Sequence, residues 1–369
     1  MKPQHQQQCT RCLMDTSDSE IHFNENGHCN HCVNYFETLK NLTYQGEESD
    51  NELEKIVRKI KAAGKNKQYD CIIGVSGGID SSYVAYLTKK LGLKPLAVHM
   101  DNGWNSELAV SNIEKLLNQL NIDLHTHVLD WEEFKDLQLS FLKASIPEIE
   151  TPTDMAIPAV LHKLAAKHNV KYIISGGNYA TEGILPKSWH YDRKDVTFLK
   201  AIQQQFGTKK LKTFPTFGYQ KEIYYKFVKG IRFVYMLNYV PFSKKNAVEL
   251  LEKELNWKYY GGKHFESRFT KLVQAYILPE KFNIDYRKST YSTQICAGEV
   301  TREEVIDELQ LKPYRDINLT EEIEYFCKKL GISTSEFDVL MNASIKSYKD
   351  YSNNQQLLEF LYKMYKKFF

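Results

Sequence analysis

The sequence feature that most constrains the fold is a predicted strand, turn and helix around residue 76. Cys71 to Val75 form a short apolar run, which predicts a buried strand that stops at Ser76-Gly77-Gly78. Tyr83, Val84 and Leu87 then begin an apolar pattern at helical spacing. The glycines allow a sharp turn, and the first amides of the helix have no internal partner. The turn therefore predicts a cradle for an anion, most naturally a phosphate chain.

The loop is not of the Walker type, because the sequence contains no Gly-x-x-x-x-Gly-Lys-Ser/Thr pattern. Ser-Gly-Gly-Ile-Asp-Ser resembles instead the pyrophosphate-binding loop of the PP-loop ATP pyrophosphatases, such as NAD synthetase, GMP synthetase and tRNA thiolases. The resemblance implies cleavage of ATP between its α- and β-phosphates, with Asp80 as a catalytic residue that helps to hold Mg²⁺. It also assigns pyrophosphate binding to Ser76, Gly77, Gly78, Ser81 and Ser82. The alternative is an ordinary turn between a strand and a helix.

Strands and helices alternate after this loop. Strands are predicted at Leu96–Met100, Leu124–Leu129 and Lys171–Ser175, with helices at Ser106–Leu120 and Pro158–His168. Such alternation predicts an α/β fold with a parallel sheet and helices on both faces. With the loop, it matches the adenine nucleotide α-hydrolase-like (HUP) architecture of the PP-loop ATPases.

Ligands of such sheets bind beyond the carboxyl ends of the strands. Three polar or glycine-rich strand ends are expected to meet there: Ser76–Asp80, Asp101-Asn102-Gly103 and Ser175–Asn178. The resemblance to the PP-loop ATPases implies that Asp101, Gly103, Gly176, Gly177 and Asn178 contact the nucleotide. For Asp101-Asn102-Gly103 a plain turn is an equally good interpretation.

Four of the seven cysteines form two Cys-x₂-Cys pairs, Cys9/Cys12 and Cys29/Cys32. Each pair offers two thiolates from one turn, and the spacing between the pairs is typical of a structural zinc ribbon. Asn24 to Gly27 has the chemistry of a hairpin turn between them. An iron–sulfur cluster is the competing hypothesis, because spacing alone does not exclude it.

Net charge and apolar patterning bear on three further classes of protein: nucleic-acid-binding, membrane-spanning and secreted proteins. The 369 residues carry a net charge of +3, which is too small to argue for a nucleic-acid partner. No apolar run approaches the roughly 20 residues of a membrane-spanning helix, and residues 1–8 lack a secretory apolar segment, so we expect a cytoplasmic protein. A polar stretch from Thr43 to Asn51 is predicted to be a linker, followed by a helix that Gly64 ends.

Residues 178–300 are dense in aromatic and basic side chains. This composition suits an anionic substrate that carries a ring, although an aromatic helical core explains most of these residues equally well. Lys187, Arg193, Lys263, His264 and Arg268 are the catalytic candidates, chosen by composition and by the family position that the resemblance below implies. Thr301 to Glu304 has the form of a capping box and begins a helical C-terminal region.

Five motifs in order connect the chain with one family. They are the cysteine ribbon, the Ser-Gly-Gly-Ile-Asp-Ser loop, Gly176–Gly183, Tyr259–Arg268 and Gly298–Glu304. From Cys9 to about Glu304 the chain resembles the N-acetyl sugar amidotransferases of bacterial lipopolysaccharide and flagellin-sugar biosynthesis. The resemblance implies that AMP is transferred to the acetamido oxygen of a nucleotide-linked sugar, that ammonia adds, and that AMP leaves an acetamidino group behind.

The resemblance also implies separate partners, a glutaminase and an ammonia-channelling barrel similar to those of histidine biosynthesis. Position 2 is lysine and no Gly-x-Cys-x-Gly elbow occurs, so no glutaminase nucleophile is visible. A tRNA-thiolating enzyme with a cysteine ribbon is the main alternative, and a non-catalytic nucleotide-fold scaffold is a third. The predicted domains are a ribbon at 1–45, a PP-loop ATPase at 52–185 and a mainly helical substrate-binding region at 186–369.

Overall fold

The computed structural model describes residues 7–44, 46–259 and 265–360. Its centre is a five-stranded, fully parallel sheet with the order β3-β2-β1-β4-β5. The strands are β1 (Cys71–Gly74), β2 (Pro95–Asp101), β3 (Asp123–Val128), β4 (Tyr172–Ser175) and β5 (Arg232–Tyr235). The predicted parallel α/β sheet is confirmed.

The two faces of the sheet carry separate cores because successive side chains of a strand point to opposite faces. Cys71 and Ile73 pack on one face, against the helices Gly46–Ala63 (α2), Ile79–Lys90 (α3), Glu107–Leu120 (α4) and Lys244–Leu255 (α10). Ile72 packs on the other face, against the helix Thr151–Lys167 (α6). The helices are α1 (Asn30–Leu42), α2 (Gly46–Ala63), α3 (Ile79–Lys90), α4 (Glu107–Leu120), α5 (Trp131–Lys143), α6 (Thr151–Lys167), α7 (Tyr179–Glu182), α8 (Val196–Phe206), α9 (Tyr219–Ile223), α10 (Lys244–Leu255), α11 (Arg268–Leu272), α12 (Leu278–Phe282), α13 (Tyr286–Ala297), α14 (Arg302–Gln310), α15 (Leu319–Leu330) and α16 (Thr334–Asn342).

Two short segments, Tyr224–Val228 and Val273–Ile277, continue α9 and α11 as π-helix, and 3₁₀ turns occur at Lys187–Trp189, Met236–Tyr239 and Tyr348–Asp350. The predicted capping box of α14 is present, since Thr301 and Glu304 cap each other's backbone amides. Within the described residues, no helix combines the length and the apolar character that crossing a lipid bilayer requires.

Two boundaries predicted from the sequence were wrong. Helix α6 begins at Thr151 with Pro152 in its first turn, so Pro158 lies inside the helix and does not open it. The predicted linker is largely helical, because α2 begins at Gly46. Its first turn is held by tertiary contact, since the buried Ser49 hydroxyl donates to the Tyr239 carbonyl at 2.6 Å.

Strand β5 was not predicted. It is a four-residue strand at the sheet edge, and it pairs with β4 from Tyr172↔Arg232 to Ser175↔Tyr235. It lies beyond residue 185, so the sheet draws on both of the segments that the sequence assigns to the ATPase and to the C-terminal region. The domain boundaries stay a prediction.

Candidate active site

The loop after β1 is held in a turn by its own hydroxyls. The Ser76 amide donates to Ser81 Oγ at 3.2 Å, the Gly78 amide donates to Ser76 Oγ at 3.2 Å, and Ser81 Oγ donates to the Gly78 carbonyl at 3.1 Å. Gly78 is the N-cap of α3, so the free amides of this helix face the turn. Asp80 lies in the first turn of α3 and lines a cavity with Ser76 and Ser81. This arrangement is suited to phosphate and to a bound cation.

The glycines of the loop are required by close packing. Gly77 has φ +84°, and a Cβ there would lie 2.6 Å from the Ala109 carbonyl oxygen of α4. Trp257 Nε1 donates to the Gly77 carbonyl at 3.1 Å from the other side. A Cβ on Gly176 would lie 3.0 Å from the backbone at Asp80 and Ser81, so the segment after β4 lies directly against the first turn of α3.

Two cavities open at these strand ends and share a wall. The first, which we call the acidic chamber, has a volume of ≈ 590 Å³, and the second, the loop chamber, has a volume of ≈ 540 Å³. Both are within the usual size range of ligand sites. The residues that line both chambers are Ser76, Gly176, Glu182, Glu266, Gln274, Tyr286 and Thr290. The loop chamber also contains Gly78, Asp80, Ser81 and Gly177.

Among the remaining predicted nucleotide contacts, Asp101, Gly103 and Asn178 have structural partners, whereas the buried Ser82 hydroxyl has none among the described residues. Asp101 Oδ1 accepts from the Gly103 amide at 2.8 Å and from Asn105 Nδ2 at 3.2 Å, and the Gly103 carbonyl accepts from Lys329. The side chain of Asn178 caps α7 and is 6% exposed. Ser82 is 1% exposed. None of Asp101, Gly103, Asn178 and Ser82 lines either chamber, whereas Asn102 and Asn105 line the acidic chamber.

The acidic chamber runs from apolar strand ends to a set of charged groups. Val75, Val98 and Met100 from the ends of β1 and β2, and Ile157 of α6, supply apolar lining. The charged lining consists of five carboxyl groups and one guanidinium: Glu148, Glu150, Asp154, Glu182, Glu266 and Arg193. Such a chamber favours a cationic or neutral polar ligand over an anion.

Hydrogen bonds fix several of these groups. Glu150 accepts from Thr270 Oγ1 at 2.6 Å and from Gln274 Nε2 at 2.9 Å, which connects the start of α6 to α11 and its π-helical continuation. Arg193 and Asp154 form an ion pair at 3.2 Å. Because Asp154 is close, the pKa of Arg193 is raised above its usual value even though burial opposes this.

Glu148 and His190 have pKa values displaced towards their neutral forms. Burial raises the pKa of Glu148 to about 7, and backbone hydrogen bonds at Glu148 and Tyr191 oppose the shift only in part. Burial, assisted by the Arg193 charge, lowers the pKa of His190. The chamber therefore places a carboxyl group that exchanges protons near neutral pH beside a neutral imidazole.

The four cysteines of the N-terminal pairs form one buried cluster. The Sγ atoms of Cys9, Cys12, Cys29 and Cys32 lie within 4.8 Å of one another, and all four residues are 0% exposed. Neighbouring Sγ atoms are 3.8 Å and 3.5 Å apart in the Cys9–Cys32 and Cys12–Cys29 pairs. A tetrahedral zinc with Zn–S bonds of about 2.3 Å separates its sulfurs by roughly 3.8 Å, so the donor set fits a single zinc ion. An iron–sulfur cluster spreads its ligands over several irons and fits less well.

The ribbon packs against the outer side of the chamber wall. The Leu13 amide donates to Ser292 Oγ of α13 at 3.0 Å, and Lys288 of α13 pairs with Asp15 at 2.6 Å. Tyr35 donates to the Ala180 carbonyl of α7 at 2.8 Å. Helices α7 and α13 also supply residues that line the acidic chamber. The ribbon therefore supports the chamber wall from behind, and none of its described residues lines the chamber.

Of the described catalytic candidates, Arg193 lines the acidic chamber, whereas Lys187 and Arg268 line neither chamber. Lys187 is exposed and lines neither chamber. Arg268 donates twice to Glu322 Oε2 of α15, at 3.0 Å and 2.9 Å, and stacks on the Tyr325 ring. Lys263 and His264 lie outside the described residues. Arg268 thus connects the chamber-lining residue Ser267 to α15 and does not line a chamber itself.

Sequence reasoning missed the acidic residues of 147–154 and the residues of the C-terminal region that face them, including Gln274 and Tyr286. The Pro-Glu-Ile-Glu-Thr-Pro-Thr-Asp stretch was a usable signal, since acids crowd there at a proline-marked helix start. Gln274 and Tyr286 had no such signal, because only the chain path brings them to the strand ends.

Two family models match separate parts of the chain. The NAD synthase family matches residues 49–144, which carry the loop and strands β1 to β3. The C-terminal domain of the WbpG-like lipopolysaccharide biosynthesis proteins matches residues 266–368. These two domains confirm the family resemblance found in the motifs, since a PP-loop domain comes first and a WbpG-like C-terminal domain follows it.

Two curated relatives are tRNA-specific 2-thiouridylases. The chain is 30% identical over 125 residues to a probable mitochondrial tRNA-specific 2-thiouridylase of Caenorhabditis elegans, and the match covers 30% of this chain and 33% of that protein. It is 24% identical to the tRNA-specific 2-thiouridylase MnmA 2 of Fusobacterium nucleatum over 73% of this chain and 80% of the relative. The chain thus spans a third of the first of these relatives.

Solved structures give weak similarities. NH₃-dependent NAD synthetase of Campylobacter jejuni aligns at 24% identity and a TM-score of 0.28, covering 37% of this chain and 60% of that chain. The U34-tRNA thiolase NcsA of Methanococcus maripaludis, solved with its [4Fe-4S] cluster, aligns at 14% identity and a TM-score of 0.32, covering 83% and 90%. TM-scores this low carry no argument about the reaction of this chain.

Proposed function

We propose that this protein is an ATP-dependent amidotransferase that converts an acetamido group of a nucleotide-linked sugar into an acetamidino group for a bacterial surface glycan such as lipopolysaccharide. The observation that carries the proposal is the shared wall of the two chambers. Residues of the WbpG-like domain, including Gln274, Tyr286 and Thr290, close the same space that the PP-loop residues Ser76 and Gly176 open. A domain associated with lipopolysaccharide biosynthesis therefore faces the ATP loop directly.

In the proposed reaction the loop binds the pyrophosphate part of ATP through Ser76, Ser81 and its amides, and Asp80 holds Mg²⁺. The adenosine lies towards Val75, Val98 and Met100, where the chamber is apolar. The acetamido oxygen attacks the α-phosphorus, an O–P bond forms, and pyrophosphate leaves. The loop amides stabilise charge on the departing pyrophosphate, and Mg²⁺ held by Asp80 would supply further positive charge there.

Ammonia then attacks the activated carbon, and AMP leaves with the original acetamido oxygen. The product is an amidine, which is a cation at neutral pH. The carboxyl groups of the acidic chamber favour such a product electrostatically, which supports placing the acetamido group there. Lys244, Arg287, Lys312 and Arg315 of the loop chamber suit the diphosphate of a nucleotide-linked sugar.

The proposal gives the four-cysteine cluster a structural zinc and assigns the supply of ammonia to separate proteins, a glutaminase and an ammonia-channelling barrel. The zinc assignment is supported by the tight, fully buried sulfur tetrahedron, which leaves no open ligand position.

Mass spectrometry of small molecules tests the proposal. The protein is incubated with ATP, Mg²⁺, ammonium and a panel of UDP- and CMP-linked diacetamido sugars. We expect one sugar to become about one mass unit lighter, as NH replaces O, while AMP and pyrophosphate appear. A heavy-oxygen label in the acetamido group should move to AMP. Unchanged sugars together with pyrophosphate release that depends on tRNA would reject the proposal.

Thiolation of tRNA is the second candidate, favoured by the similarity to the 2-thiouridylases. Thiolation requires sulfur-handling groups beside the ATP site, yet none of the seven cysteines, all within the described residues, lines either chamber. Cys71 is buried in β1 and Cys327 in α15. Loss of turnover in a folded Cys296→Ser, Cys327→Ser double variant would support thiolation against our proposal.

A further inference from the structure

Three buried polar atoms at one end of the acidic chamber have no hydrogen-bond partner among the described residues. They are Glu148 Oε2, Trp189 Nε1 and His190 Nδ1. Glu148 is 8% exposed and Trp189 is 3% exposed, and all three residues line the chamber. Unpaired buried polar groups are costly, so a group of them facing one cavity indicates a ligand site. A site with one acceptor, one N–H donor and one neutral imidazole suits a small, polar, proton-donating ligand.

The position of Glu148 relative to the other chamber groups points to a nitrogen ligand. Five carboxyl groups against one guanidinium give this chamber a negative field, which attracts ammonium and repels phosphate. Besides Glu148, the charged and titratable groups that line this chamber are His99 of β2, Glu150 and Asp154 at the start of α6, Glu182 of α7, His190, Tyr191 and Arg193 of the segment after Trp189, Glu266 before α11, and Tyr286 of α13. Arg193 is already paired with Asp154, so it does not neutralise Glu148 directly.

We propose that Glu148 is the proton acceptor for the nitrogen nucleophile in the second half of the reaction. The inference rests on the proposed amidotransferase function. As the lone pair of ammonia forms the C–N bond, one N–H proton passes to the Glu148 carboxylate, and the C–O electron pair leaves with AMP. The adenylated, protonated imidate therefore becomes an amidinium cation, and Glu148 ends neutral. The charge lost from the carboxylate appears on AMP, which leaves as a dianion.

Separating the two half-reactions tests the assignment. Sugar-dependent exchange of labelled pyrophosphate into ATP, without ammonium, reports adenylation alone. Amidine formation is measured from pH 6 to 9 (roughly two units around the Glu148 value) at a constant concentration of free NH₃, so that the titration of ammonium does not contribute. In the wild type, the rate should rise with pH as the Glu148 carboxylate ionises near neutrality.

Glu148→Gln should keep the exchange activity within about threefold while it lowers amidine formation by about 100-fold or more and removes the rise with pH. Glu148→Asp keeps a carboxylate and should restore part of the rate together with a pH-dependent rise. Glu299→Gln is the matched control, because Glu299 is also a carboxyl with a pKa raised by burial but lies outside both chambers. It should behave like the wild type.

Two results would overturn the assignment. One is a Glu148→Gln protein whose amidine formation and pH profile match the wild type. The other is equal loss of exchange and amidine formation in both Glu148 variants while ATP binding persists, which would make Glu148 a sugar-binding residue. If the wild type shows no exchange with any sugar of the panel, the proposed function itself fails, and the inference fails with it.

Discussion

At the scale of single residues, the candidate site depends on backbone positions that tolerate no side chain. Gly77 combines a left-handed φ with contact to α4 on one side and a hydrogen bond from Trp257 on the other. The loop can therefore present its amides to a phosphate only while that position is glycine. Gly298 offers a useful contrast, since its φ is also positive, +74°, but nothing lies within 4 Å of a Cβ placed there.

Gly77→Ala is expected to lower the free energy of unfolding by about 2–4 kcal/mol, because backbone strain and a clash with the Ala109 carbonyl add together. It should also abolish ATP binding. Gly298→Ala should cost only the strain, about 1 kcal/mol, and leave ATP binding unchanged. Urea denaturation and equilibrium ATP binding measure both variants. Equal destabilisation of the two would show that the contact with α4 contributes nothing.

At the scale of elements, the ribbon packs against α13, and α13 in turn lines the candidate site. The four buried cysteines sit against Tyr35, Trp189 and Phe269 in one apolar cluster. Arg302 at the start of α14 donates to the carbonyls of Cys9 and Cys12. Helices α13 and α14 are therefore both hydrogen-bonded to the segment that carries the first cysteine pair. The inner face of α13 lines the chamber that we assign to the sugar.

Removal of the metal should therefore disturb the sugar site before the ATP site. We expect Cys12→Ser to lose bound zinc and to lower the thermal midpoint, because a zinc ribbon lacks the core to fold without its ion. Metal analysis and calorimetry measure both effects, and sugar-dependent pyrophosphate exchange should fall more than ATP binding does. Cys296→Ser is the control, since Cys296 lies near the cluster but is not one of the four ligands. Zinc loss without any change in stability would contradict this role.

At the scale of the whole molecule, the loop after β1 and residues of the C-terminal region line the same cavities. None of the seven cysteines lines these cavities, so none of them is placed to release ammonia from glutamine there. The cysteines are buried in strands and helices or gathered in the ribbon, with Cys296 half-buried beside it. We therefore assign packing or metal-binding roles to all seven cysteines. In our proposal a second protein supplies the ammonia.

The isolated chain should accordingly form amidine with ammonium and show no turnover with glutamine. Addition of a matching glutaminase and channelling barrel should make glutamine effective at concentrations where free ammonium is not. Product formation at fixed total nitrogen, with and without those proteins, is the measurement. Glutamine-dependent turnover by the chain alone would contradict the expectation of separate partners.

The fold and the loop followed from the sequence because their determinants are local. Strand periodicity, the Gly-Gly turn and the Cys-x₂-Cys spacing depend on neighbours within a few residues, and β1, α3 and the cysteine cluster appear as expected. Composition did not tell which basic side chains line the chambers, since Arg193 does and Lys187 and Arg268 do not. Arg268 pairs with Glu322 and Lys187 faces solvent, because the same residue types also serve packing and solvation.

The sequence by itself determined the parallel sheet, the glycine-rich loop after β1 and the pairing of the four cysteines. Only the tertiary structure decided which side chains share the space beyond the strand ends. Glu148, Gln274 and Tyr286 are up to 138 residues apart in the chain, and they line one cavity only because the segment before α6, the π-helical continuation of α11 and α13 pack around it. Their contacts, and the burial that raises the pKa of Glu148, are long-range effects that no local pattern encodes.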